Sequence, residues 1–151
     1  MSLPQAFEEA RQKAAAFIGI DRSKSSGRVR QNLLKKGIDP KVADEVVDYF
    51  IKIDYINDQR AAAAVAARYH GRKIRSRRCM KDVFIRNGID ADVAGQYVLR
   101  LDEDRETATR LCRHAFPDAS PGQETEMMKL LTRRGYPAGL AREVIRNHLE
   151  L

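Results

Sequence analysis

Between Arg68 and Arg86 the chain carries eight basic side chains, Arg68, Arg72, Lys73, Arg75, Arg77, Arg78, Lys81 and Arg86, against the single acid Asp82. That excess, held in 19 residues, equals the net +7 of the whole 151-residue chain. Guanidinium forks match the oxygens of phosphate and lysines add point charges, so the chemistry of this segment is recognition of a polyanion. Arg68, Arg72, Lys73, Arg75, Arg77, Arg78 and Lys81 are the candidate nucleic-acid-binding residues. Lys73, Arg75, Arg77 and Arg78 surround an expected helix start and cannot share one helix face. Their forks together with free backbone amides there predict a phosphate cradle. The competing reading is a solvated surface that keeps the protein soluble. Smaller basic groups recur at Arg28, Arg30, Lys35 and Lys36 and at Arg133 and Arg134. Tyr69, beside Arg68 and Arg72, is the aromatic suited to base stacking, whereas Phe17, Phe50, Phe84 and Tyr97 fall at helical spacing and read as core.

Catalytic chemistry has few candidates. His70, His114 and His148 stand alone, each near the end of an expected helix, where a partly charged imidazole complements the helix dipole. Asp102, Glu103, Asp104 and Glu106 cluster at a helix start, which favours negative charge and reads as a solvated first turn. Cys79 and Cys112 lie far apart without a partner at metal-ligand spacing, so no disulfide framework, zinc site or other cofactor is expected. The reading is of a chain without enzymatic activity. With 43% apolar and 32% charged residues the composition is that of a folded protein with a core. No run approaches the roughly 18 apolar residues of a membrane span, and the first residues lack a signal-peptide core, so a cytoplasmic location is expected.

The elements that position these residues repeat. Gly37, Gly88 and Gly135 each close an apolar-then-basic run and precede an apolar residue, in NLLKKGI, VFIRNGI and LLTRRGY. Aligned on the glycine, Leu33, Phe84 and Leu131 stand four positions before it. Val42, Val93 and Leu140 follow five positions after, Ala43, Ala94 and Ala141 six after, and Val46, Tyr97 and Val144 nine after. Those offsets are helical, so the same helix–turn–helix unit occurs three times. A glycine just past a helix caps its last carbonyls in the left-handed conformation, and Asp39 and Asp90 then stand at N-cap positions, with Pro40 in the first turn of the first copy. Residues 57–70, 102–116 and the N-terminal stretch supply a further helix to each unit, Asn57 or Asp58 capping the first of these. Breaks fall at 21–27, around Gly71 and at 116–124. The expectation is an all-α protein of about nine helices in three tandem three-helix repeats, 3–53, 54–102 and 103–151, forming an elongated, slightly curved array.

The segment YINDQRAAAAVAARY followed by KIRSRRCMKDVFIRNGID resembles the RecX regulators of RecA recombinase. Tyr55, Ile56, Asp58, Arg60 and Ala61 match the opening of the helix that precedes the family's central basic segment. The glycine endings match at Leu33 to Ile38 and Phe84 to Ile89, and the likeness extends over about residues 6–149. The chain departs from the family pattern at Arg28, where a capping-box glutamate three residues after the Ser25 position is usual, and at Cys79, where an acid is common. The resemblance implies a nine-helix modular fold and a non-enzymatic modulator. It implies that the protein binds RecA, lies along the groove of the RecA–single-strand DNA filament and limits recombinase activity, the seven basic residues being filament contacts as well. The partners expected are RecA, its nucleoprotein filament and single-stranded DNA through its phosphates, with no membrane and a monomeric protein. An autonomous DNA-binding module is the alternative, since each glycine turn joins two helices in the manner of a helix–turn–helix.

Overall fold

The computed structural model describes residues 2–150. Among these residues the chain is all-α, with nine helices: α1 (Leu3–Ile18), α2 (Ser26–Lys35), α3 (Pro40–Lys52), α4 (Asp58–Ala66), α5 (Arg77–Arg86), α6 (Ala91–Tyr97), α7 (Asp104–Ala115), α8 (Glu124–Arg133) and α9 (Ala138–Leu149). Single 3-10 turns cover Gly71–Lys73, Val98–Arg100 and Pro121–Gln123. No helix among the described residues is long and apolar enough to cross a membrane.

Local chemistry sets the helix ends. The Ser2 hydroxyl accepts from the Gln5 amide while the Gln5 side chain accepts from the Ser2 amide, a capping box that opens α1. The Asp39 carboxylate accepts from the Lys41 amide to open α3, and Pro40 takes the first-turn position where no amide is needed. Asn57, rather than Asp58, caps α4 by accepting from the Arg60 amide. The three repeat glycines close their helices at φ of +82°, +85° and +93°. In each, the residue after the glycine donates back across the turn, Ile38 to Leu33, Ile89 to Phe84 and Tyr136 to Leu131, at 3.0 to 3.1 Å. This is the Schellman arrangement, and only glycine adopts that φ without strain.

The chain forms two compact units. Unit 1 comprises residues 1–64 and 84–94, and its core gathers Ala10, Ala14 and Ile18 from α1, Val29 and Leu33 from α2, Val46, Val47 and Phe50 from α3, and Ile56. The four-residue spacing on α1 puts one small-residue face against α2 and α3. Unit 2 comprises residues 65–83 and 95–151, with a core of Ile74, Leu111, Cys112, Met127, Leu131, Tyr136, Val144 and Ile145 among others. Burial pushes the Cys112 thiol up to about 11. Tyr136 rises to about 12, chiefly by burial and against its hydrogen bond with Thr107 at 2.7 Å.

Each unit closes on the same clasp, a serine-capped helix start seated against a glycine turn. In unit 1, Ser25 caps α2 by accepting from the Arg28 amide and donates its own proton to the Asn87 carbonyl at 2.6 Å, while the Gly27 amide donates to the Gly88 carbonyl. The Asp58 carboxylate completes the clasp, accepting from the Ser26 amide and hydroxyl at 2.7 and 2.6 Å and from the Asp90 amide at 2.9 Å. In unit 2, Ser76 caps α5 through the Cys79 amide, its own amide donates to the Arg134 carbonyl, and Asp104 accepts from the Arg77 amide at 2.9 Å. Ser25 and Ser76 are consequently buried, with their hydrogen-bonding capacity used inside the fold. Arg28 at the family's glutamate position leaves the serine cap intact, because the cap needs only the hydroxyl, and the Arg28 side chain turns to Asn87 Oδ1 at 2.8 Å.

Candidate nucleic-acid interface

The seven candidate residues of the basic segment, Arg68 to Lys81, lie in unit 2, where buried residues pin the segment at intervals. After α4, the Arg68 and Tyr69 amides donate to Val65 and Ala66 in a final turn, and the Gly71–Lys73 turn brings Ile74 into the core. Ser76 then starts α5. Between these anchors the charged side chains separate into two sets. Arg68, Arg72, Lys73, Arg78 and Lys81 are exposed, and none of their side chains makes a hydrogen bond or ion pair with a described residue. Arg78 and Lys81, three apart on α5, fall on the same side of that helix.

Arg75 and Arg77 are half-buried and held internally. The Arg75 guanidinium lies over the Tyr69 ring at 4.8 Å and donates to the Lys73 carbonyl, so Tyr69 is covered by a cation on one face. Arg77 Nη2 donates to the carbonyls of Leu101 and Leu99, tying α5 to the end of the Val98–Arg100 turn. The amides expected to be free for a phosphate at this helix start are largely used inside the protein. The Arg77 amide is taken by the Asp104 carboxylate, the Cys79 amide by the Ser76 hydroxyl and the Ser76 amide by the Arg134 carbonyl, so protein acceptors already occupy three of the positions a phosphate would need. Asp104 therefore does more than begin a solvated first turn, while its neighbour Asp102 pairs with Arg110 at 2.9 Å.

Two further arginines join this region from elsewhere in the chain. Arg134 donates to the Arg72 carbonyl at 2.6 Å, and its proton is held less tightly than in a free arginine because of burial first and the nearby charges of Arg75 and Arg133 second. Arg110 reaches from α7 to line a cavity with Arg75 and Arg77. The basic pairs before Gly37 and Gly135 pointed to Arg134, but the charge run gave no signal for Arg110, whose neighbourhood in the chain is acidic. The charge is uneven between the units. Unit 2 holds sixteen basic against ten acidic residues, a net +6, and unit 1 twelve against eleven, a net +1. The arrangement can attract and hold a polyanion, and the five exposed cations are available to it without breaking an internal bond.

No family model matches the chain. Among curated proteins it is 33% identical over 126 residues to the regulatory protein RecX of Thermobifida fusca (strain YX), covering 78% of this chain and 67% of that protein. It is 28% identical over 151 residues to the regulatory protein RecX of Amycolatopsis mediterranei (strain U-32), covering 93% and 86%. The fold is similar to the crystal structure of RecX from Lactobacillus salivarius, with a TM-score of 0.73 over 97% of this chain and 98% of that one, at 15% identity.

Proposed function

The chain belongs to the RecX family of regulatory proteins, and from that premise we propose that it binds RecA and the RecA–single-strand DNA filament and restrains recombinase and related filament activities in DNA recombination and repair. It does so in the cytoplasm, as a monomer, without catalysis or a cofactor, and it is organised as three tandem repeats, 3–53, 54–102 and 103–151. The RecA half of the reading rests on family membership. One observation carries the DNA half: Arg68, Arg72, Lys73, Arg78 and Lys81 are exposed cations without internal partners, in the unit that holds six of the seven excess charges. Such a surface gains affinity for a phosphate backbone by releasing condensed counterions, with no need of base contacts. Arg75 and Arg77 belong to the same contact region from their half-buried positions.

Sedimentation of filaments assembled on long single-stranded DNA tests the reading. The protein is expected to pellet with RecA-coated DNA at physiological salt and to remain largely in the supernatant with DNA alone. Equal pelleting in both cases contradicts the RecA half. A duplex site bound ~1,000-fold more tightly than random DNA, the low end of sequence-specific recognition, would replace the reading with the autonomous DNA-binding module.

A further inference from the structure

Unit 2 has a half-open pocket of about 130 Å³ whose lining includes Tyr69, Arg75, Arg77, Asp102, Thr107 and Arg110. Three guanidinium groups meet one carboxylate there, leaving the wall with a net charge of +2. Internal bonds account for only part of their donors. Arg75 donates to Lys73, Arg77 Nη2 to Leu99 and Leu101, and Arg110 Nη2 to Asp102. The Nε of Arg77 is buried and has no acceptor. A buried charged N–H without an acceptor is costly, and structures retain few of them unless a ligand or water completes the bond.

The acceptor that fits must be anionic, small and rich in oxygens. Waters take about 30 Å³ each, so the volume corresponds to roughly four, the number of oxygens in a tetrahedral phosphate. Guanidinium forks bind such oxygens in pairs. We propose that Arg75, Arg77 and Arg110 form a built phosphate pocket, with the Arg77 Nε–H as the inner donor and Arg110 exchanging part of its bond to Asp102 for the ligand. The pocket differs from the cradle expected at the start of α5, because side chains from the 69–77 segment and α7 form it and no free helix amide is required. A phosphate of the DNA backbone or a free phosphate presents the same oxygens. Assigning the group to DNA rests on the filament reading, whereas the pocket itself does not.

The test uses the full chain without RecA, so a failure here leaves the regulator reading standing and the reverse also holds. Inorganic phosphate replaces chloride at constant ionic strength while the arginine Nε–Hε signals are followed by NMR. The Arg77 signal is expected to move saturably with phosphate and not with chloride. Arg110→Gln, with its fold checked by circular dichroism, is expected to weaken phosphate binding by about tenfold or more, as for the loss of one charge-assisted pair. Arg75→Gln provides a second reading that leaves the Asp102–Arg110 pair untouched. A short oligothymidylate that displaces phosphate from Arg77 assigns the pocket to the DNA backbone, and failure to displace it assigns the pocket to free phosphate. An Arg77 signal unmoved by saturating phosphate, or a phosphate response that survives both substitutions, overturns the proposal.

Discussion

Replacing Arg68, Arg72, Lys73, Arg78 and Lys81 together with alanine should remove most of the salt dependence of DNA binding while leaving the fold untouched. The five side chains are exposed and make no bond with a described residue, unlike Arg75 and Arg77, which hold the segment together. Each phosphate neutralised on a single strand adds about 0.7 to the slope of log affinity against log salt, so losing five contacts lowers the slope by about 3.5. Between 50 and 200 mM salt, a fourfold change, the parent protein should therefore lose roughly 100-fold more affinity than the variant. Fluorescence anisotropy of a labelled oligothymidylate across that range reads the slope directly. Surface changes of this kind shift stability by about 0.5 kcal/mol or less each, and thermal melting verifies that the variant is folded. An unchanged slope in a folded variant refutes the argument and makes these residues a solvated surface.

Three other predictions concern the fold that presents the basic segment. Gly37 and Gly88 share the same turn at φ +82° and +85°, so alanine at either costs roughly 1–2 kcal/mol of left-handed strain. At Gly88 the added Cβ also collides with the Ser25 Oγ and comes within 2.7 Å of the Arg28 amide nitrogen, whereas nothing lies within 4 Å at Gly37. Urea unfolding should rank Gly88→Ala well below Gly37→Ala, and equal losses would contradict the clasp. Asp104→Ala removes the acceptor for the Arg77 amide and should cost ~1 kcal/mol, as for loss of an N-cap; an unchanged unfolding midpoint would mean that the cap is dispensable. Stability should also fall as pH rises from about 8.5 to about 11, because the unfolded Cys112 thiol loses its proton in that window while the folded one keeps it. Tyr136 extends the decline toward about 12. Cys112→Ala, although less stable at neutral pH, should show a shallower fall, and an identical pH slope would contradict the burial of the thiol.

What the sequence made legible was local. The glycine turns could be read because the bonds that close them reach only five residues back, from Ile38 to Leu33 and from Tyr136 to Leu131. Pro40 and Asp39 were readable for the same reason. The exposed cations were visible as a charge run, but their division into free and internally held groups was not, since it depends on partners far along the chain. Asp104 lies 27 residues from Arg77, the Arg134 carbonyl that accepts from the Ser76 amide stands at the end of a different helix, and these contacts take up amides that composition alone would leave open to a phosphate. Arg110 was hidden by its acidic neighbours, and only packing of α7 against the 71–73 turn brings it toward Arg75 and Arg77. Tyr69 was legible as an aromatic among arginines, but the guanidinium that covers it belongs to Arg75 rather than to its nearer neighbours Arg68 and Arg72.

The most direct test of the regulator reading is the DNA-dependent ATPase activity of the cognate RecA on single-stranded DNA, titrated with this protein from far below equal stoichiometry upward. The account predicts a fall in activity at substoichiometric ratios, since one molecule on a filament restrains more than one RecA protomer. No change up to equal stoichiometry, with the protein shown to be folded by circular dichroism, would contradict it.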